Sequence, residues 1–145
     1  MKTAETTSAL FHKGDGRTRV GMSVNHIGED LVVCLFNEAG HIGATAVADF
    51  SEKENRASVS VITRPGHMED KLASDAARRL CKAVRRPVCV IAGIHLDNIT
   101  EDEIAEILAN CEKLLSTVVQ GRDKSHPCIN ELTRRFPGTA AGARS

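Results

Sequence analysis

Midway along the chain the spacing of apolar residues changes, and that change limits the fold more than any other feature. Up to Thr63 the apolar residues come in short runs with a period near two, the spacing of strands. Residues 19–27 alternate, and 30–36 (DLVVCLF) form a continuous apolar run. Residues 42–50 (IGATAVADF) read as a third strand, with Gly43 a bulge or a place of close backbone approach. Residues 56–63 (RASVSVIT) set Ala57, Val59 and Val61 on the face opposite the serines. Short turns separate these runs, so they read as an antiparallel meander.

After Pro65 the period becomes helical. Leu72, Ala76, Ala77, Leu80, Ala83 and Val84 recur three and four apart and predict a helix over about 66–84. Residues 88–94 are apolar on both faces, which suits a central strand. Thr100 followed by Glu103 is a capping box. It opens a second helix with a stripe at Ile104, Ile107, Leu108, Cys111, Leu114, Leu115 and Val118, ended by Gly121. The expected fold is α+β: a two-layer sandwich with a mainly antiparallel five-stranded sheet, order ββββ-α-β-α, and two helices on one face. One domain is expected over 18–121, with a flexible N-terminal arm at 1–17 and a flexible C-terminal tail at 122–145. The uncovered sheet face, apolar or small in its residues, is a candidate homodimer interface.

Composition narrows the function. The chain has 145 residues, the usual size of one domain, and 19 basic residues balance 19 acidic ones. Zero formal charge argues against nucleic acid or an anionic membrane as main partner. No apolar run approaches the ~20 residues that span a bilayer, and the N-terminus lacks the apolar core of a secretory signal. The expected location is the cytoplasm. Five cysteines without a C-x-x-C read as reduced thiols. Cys34, Cys81, Cys89 and Cys111 are expected in the core, and Cys128 is expected to be reactive. Four Phe with no Trp or Tyr leave few aromatic platforms for sugars or stacked bases.

The topology gathers the unusual residues. A hairpin puts the start of the third strand beside the end of the fourth, and a parallel β-α-β crossover puts the ends of the fourth and fifth strands at one edge. Three segments then meet: Gly40-His41-Ile42-Gly43, Arg64-Pro65-Gly66-His67-Met68-Glu69 and Gly93-Ile94-His95-Leu96-Asp97-Asn98. Half of the six histidines would stand together. A helix N-terminus near Gly66 would offer N–H donors to an anion, and Arg64 could fork onto two phosphate oxygens. Asp97 and Asn98 could serve an oxygen-rich or heteroaromatic group. Each residue also has a plainer reading. Arg64–His67 can be a strand-to-helix turn, Asp97 and Asn98 can shape the turn before Thr100, His95 can be a core histidine and His41 a surface one. His26 falls at the opposite edge, and His12 and His126 fall in the arms. The chain has no phosphate-binding glycine loop, zinc-protease motif or nucleophile elbow. His67-x-Glu69 echoes zinc deaminases, but the P-C-x-x-C partner is missing.

HIGA at 41–44, PGHMED at 65–70 and GIHLDNIT at 93–100 together resemble the LpdD-like proteins, small accessory subunits encoded with UbiD-type hydroxyarylic acid decarboxylases. The resemblance covers about residues 18–120. It implies a chaperone of prenylated FMN that does not itself catalyse decarboxylation, in a fold like that of proteasome assembly chaperones, which commonly dimerise. The family's GH-x-E-D stretch is matched by Gly66, His67, Glu69 and Asp70, and its IH-x-DNI stretch by Ile94, His95, Asp97, Asn98 and Ile99.

The leading expectation is a non-catalytic accessory protein that binds prenylated FMN, or FMN, through His41, Gly43, Arg64, Gly66, His67, His95, Asp97 and Asn98. It would store the cofactor or deliver it to a UbiD-type decarboxylase, with the flavin prenyltransferase as a second candidate partner. Phosphate would sit at Gly66–His67 with Arg64. One alternative is a small metal-assisted or acid–base enzyme built on His41, His67 and His95, with Glu69 or Asp97 as base. The other is a structural docking subunit of a decarboxylase.

Overall fold

The computed structural model describes residues 8–67 and 69–120. Six strands form one mixed sheet: β1 (Ala9–Lys13), β2 (Val20–Ile27), β3 (Asp30–Phe36), β4 (Ala44–Ser51), β5 (Arg56–Thr63) and β6 (Val88–Gly93). Helix α1 (Asp70–Val84) lies between β5 and β6 in the chain, and α2 (Glu101–Gln120) follows β6. A 3-10 turn at Gly16–Thr18 joins β1 to β2. Across the sheet the order is β1-β2-β3-β6-β4-β5.

The α+β class and the two helices stand as expected, but the sheet differs in three ways. It has six strands rather than five, and it is mixed, because β6 runs parallel to β3 and antiparallel to β4. The four early strands are therefore not one meander. They are two hairpins, β2–β3 and β4–β5, split by the later β6. The expected β-α-β crossover does run between parallel strands, but it passes over β4 instead of joining neighbours.

Register explains the core. Met22, Leu35, Ala92 and Ala44 line up across β2, β3, β6 and β4, and Val24, Val33, Val90 and Ala46 form the next row. All eight are buried. Alternation sends the side chains of these rows to one face, and both helices cover that face. Helix α1 packs on β4, β5 and β6 through Ala73, Ala76, Ala77 and Leu80; α2 packs beside α1 and over β1 and β2. Alanines on both sides of the α1–β4 contact let helix and sheet approach closely. Burying one Leu such as Leu80 contributes about 1.5–3 kcal/mol.

Three boundaries also move. The segment expected to be a flexible arm contains β1, whose Ala9 is buried and whose Phe11 packs on the core. The strap after β1 is fixed to α2: Asn110 Nδ2 donates to the Thr18 carbonyl at 3.0 Å, and Thr18 Oγ1 donates to Glu106 at 2.8 Å. Helix α1 starts at Asp70, not near Gly66, because residues 64–67 make a turn closed by His67 N–H donating to the Arg64 carbonyl at 3.1 Å. Pro65 presets the second turn position, and Gly66 at φ +79° takes the third, the arrangement of a type II turn. Strand β4 begins at Ala44 rather than at residue 42. The capping box forms as expected, with Glu103 N–H donating to Thr100 Oγ1 and Thr100 N–H donating to Glu103 Oε1. Cys81 and Cys111 are buried, whereas Cys34 and Cys89 lie half-buried on the uncovered face rather than in the core. No helix among the described residues is long and apolar enough to cross a membrane. Residues 1–7, Met68, Gly121 and the tail from residue 122, with His126 and Cys128, lie outside the described residues.

Candidate functional site

Three chain segments meet where β5 and β6 end and β4 begins. Ala44 pairs with both Thr63 and Ala92, so the residues just outside the ladder are neighbours. Backbone bonds extend this join: Gly43 N–H donates to the Ala92 carbonyl and Arg64 N–H to the Gly43 carbonyl, each at 2.9 Å. Gly93 and His41 lie so close that a side chain on Gly93 would meet the His41 carbonyl.

The expected meeting of histidines occurs. The rings of His41 and His67 stand edge to face with centroids 4.8 Å apart, and those of His41 and His95 lie 5.5 Å apart at a 31° tilt. His41 is the middle ring. Each outer ring has a carboxylate two residues downstream. His95 Nε2 lies 3.0 Å from Asp97 Oδ1, and His67 Nδ1 lies 3.5 Å from Glu69 Oε2. The Glu69 carboxylate lies against Gly43, where a Cβ would collide with it, and its Oε2 is buried without a hydrogen bond. His67 is mostly covered, His95 is about half exposed, and Ile42, next to His41 in the chain, leaves aliphatic surface exposed.

The other expected residues divide. Gly43 is buried in the join, and Asn98 sits beyond His95 with φ +52°. Asp97 is exposed and bonded to His95. Arg64 reaches back to donate from Nη1 to the Ile42 carbonyl at 2.7 Å. Gly66 and His67 belong to the turn, so the helix N-terminus expected to hold phosphate there is displaced to Asp70. Its first turn is acidic, and acidic residues also fill the first turn of α2. Carboxylates suit a helix N-terminus but compete with an anionic ligand for it. His26 pairs with Leu31 at the far end of β2, as expected. His12 is not in an arm but on β1, edge-on to Phe36 at 6.4 Å.

Two residues at the site were not signalled by sequence. Arg17 Nη2 donates to the Asp97 carbonyl at 2.9 Å, and its Nε donates to Glu103 Oε2 at 2.8 Å. That pairing raises the Arg17 pKa and holds the Glu103 carboxyl below its usual range, helped by the Thr100 N–H. Asn37, buried at the end of β3, bonds both backbone groups of His95.

Chemically, the site offers imidazoles, a guanidinium with unused N–H groups, and aliphatic surface open to solvent. Those groups fit an anionic ligand with a planar ring, held on one side. Among the described residues no set of three or more His, Cys, Asp or Glu is arranged to hold a metal ion. A groove of about 570 Å³ between β1 and α2 is lined by Phe11, Lys13, Lys113 and Thr117 among others, and none of the three clustered histidines faces it.

A family model described as a prenylated flavin chaperone LpdD-like domain matches residues 14–122. The chain belongs to that family. The match includes all three histidine segments of this LpdD-like chain and begins at Gly14, within the strap that carries Arg17. Among solved structures the LpdD-like chain is similar to one from a chaperone complex for yeast 20S proteasome assembly, at 12% identity and a TM-score of 0.46 over 89% of this chain and 98% of that one. No curated protein matches it at a significant level.

Proposed function

We propose that this chain binds prenylated FMN, or FMN, at the His41–His67–His95 cluster and stores it or delivers it to a UbiD-type aromatic acid decarboxylase. The observation that carries the reading is the meeting of three imidazoles from three separate segments within a flavin-chaperone family domain. Arg64 and the Gly66–His67 turn would take the phosphate. A guanidinium has five N–H donors and Arg64 uses one on Ile42. The rings of His41 and His95, with Asn98 and the exposed Ile42, would meet the ring system and ribityl chain, and Asp97 would orient His95.

The openness of the site supports transfer rather than catalysis. Ligand pockets that retain a small molecule enclose about 70–90% of its surface. With His41 and Ile42 exposed, a flavin held there would keep one side free for a receiving protein. The same chain would act as a homodimer through its uncovered sheet face.

The test begins with absorption and native mass spectra of protein co-produced with a flavin prenyltransferase. Without Trp or Tyr, a bound flavin dominates the near-ultraviolet and visible spectrum. The expected result is a visible band and the mass of prenylated FMN on the protein. Arg64→Ala and His67→Ala are expected to keep the fold and weaken FMN binding roughly tenfold or more each, the scale of a lost charge-assisted hydrogen bond. Full affinity in both variants would refute this placement. A protein that takes up no flavin would return the weight to a docking subunit.

A further inference from the structure

The ladder between β3 and β6 ends at the pair Phe36–Gly93, yet one more rung follows that is not made of backbone. Asn37 Nδ2 donates to the His95 carbonyl at 2.8 Å, and His95 N–H donates to Asn37 Oδ1 at 3.0 Å. A side-chain amide carries one acceptor and a donor in the same plane as a peptide group, so Asn37 imitates the next peptide of β3 and pairs with His95 as a strand would. The residue is 7% exposed, so its two bonds are made away from water. Its backbone works in the other direction: Gly40 N–H donates to the Asn37 carbonyl at 3.0 Å, closing the turn one residue before His41. Gly40 lies so close that a Cβ there would stand 2.8 Å from Asn37 Oδ1 and collide with the Gly93 carbonyl.

We infer that Asn37 is the positioning residue of the histidine cluster, fixing His41 and His95 relative to each other by bonding the loop of one and the turn of the other. Both segments leave the sheet at a ladder end, where strands fray. Without the extra rung, the bond from Gly43 N–H to the Ala92 carbonyl of β6 would still join the two, but nothing would hold the backbone of His95 itself to the end of β3 among the described residues. Aspartate at this place keeps the acceptor but loses the donor and sets a second acceptor against the His95 carbonyl. Alanine loses both bonds without adding charge. A buried bond of this kind, once one partner is left unsatisfied, costs enough to loosen a loop without unfolding a domain.

The decisive measurement is the set of imidazole ¹H–¹³C signals of the ligand-free protein, in wild type, Asn37→Ala and Asn37→Asp. His12 and His26 act as internal controls, since neither bonds Asn37. Expected is a displacement and broadening of the His41 and His95 signals in both variants, with His12 and His26 unmoved. Two variants are needed because the aspartate adds a charge and the alanine removes two buried bonds. Unmoved His41 and His95 signals overturn the inference. Equal movement of all four overturns it as well, since it reduces Asn37 to general packing. A second measurement rests on the flavin reading above: titration with FMN should show affinity weakened roughly tenfold, as for one lost hydrogen bond. If the rings move while FMN affinity holds, Asn37 keeps its positioning role and it is the flavin site that is misplaced.

Discussion

Gly93 ends β6 one residue before the loop that carries His95, and the His41 turn lies directly on it. A methyl group at Gly93 would meet the carbonyl of His41, and backbone cannot swing aside as a side-chain tip can. Gly93→Ala is therefore expected to lower stability by about 1–3 kcal/mol, as overpacking does, and to displace His41. Chemical denaturation with unchanged m-value reads the first effect; a variant as stable as wild type would mean that the two segments separate freely. The buried thiols make a second prediction at this scale. Burial pushes Cys81 up to about 11 and Cys111 up to about 12. Alkylation needs the thiolate, so in native protein at mildly alkaline pH both should resist a small alkylating reagent and react only on unfolding. Rapid labelling of either in the native state would show that the helix–sheet seam opens. At the level of residues, His41, His67 and His95 were legible because each stands just outside a strand whose direction the sequence implies. Asn37 and Arg17 were not. Asn37 matters only because β6 lies beside β3, and Arg17 only because the strap before β2 is fastened to α2, and neither contact leaves a mark in local spacing.

Elements were legible where the pattern was long and illegible where pairing decides. Strands β2, β3 and β5, both helices and the Thr100–Glu103 box follow from periodicity and capping. Strand β1 (ALFHK) is short and half polar, and only hydrogen bonds to β2 make it a strand. The split of the meander shows only once β4 is seen to begin at Ala44. Residues 37–43 form a seven-residue link between β3 and β4, longer than the two- to five-residue loops of a hairpin, and the extra length spans the inserted β6. The strap supplies the prediction at this scale. Glu103 is held below its ordinary value, chiefly by the hydrogen bond from Arg17. A carboxyl whose folded pKa is depressed adds stability above its unfolded pKa, and that contribution is lost as pH falls through the folded one. Wild type should therefore melt above Glu103→Gln at neutral pH, and the gap should shrink as pH falls through and below the usual carboxylate range. A gap that does not change with pH would assign the variant's effect to the cap alone. Since the Arg17 side of the pair is more than half exposed, added salt should narrow the gap as well.

For the whole molecule, both helices lie on one face of the sheet, and the other face is left to water or to a partner. Register places Leu10, Ser23, Cys34, Ile91, Thr45 and Ile62 in one row across all six strands of that face. The adjoining row runs Asn25, Val32, Cys89, Val47 and Ser60. Neither row contains a charge, and Ile62, Leu10 and Val47 are 75%, 55% and 50% exposed. A second copy of a chain with no formal net charge meets no long-range repulsion at such a face, and two sheets pack about 10 Å apart through side chains of this size. Six strands at ~4.8 Å spacing and about 20 Å long offer roughly 500 Å² per copy, which is at or below the lower end of specific interfaces. The expected homodimer is thus reversible, dissociating in the micromolar range, rather than obligate. Sedimentation over a dilution series should show twice the chain mass giving way to the monomer. Val47→Lys with Ile62→Lys, which place charges on the edge strand β5 and its neighbour β4 without touching the core rows, should give the monomer at every concentration. The half-buried Cys34 and Cys89 supply an independent reading, because they stand in adjacent strands at the centre of the same face. They should label slowly in concentrated wild type and faster in the double variant, although burial and the neighbouring Cys34 raise the Cys89 pKa in the single chain already. Wild type that sediments as a monomer throughout, with both thiols labelling at one rate at all concentrations, would leave the face to a different protein and would remove self-association from the proposed cycle of flavin storage and delivery.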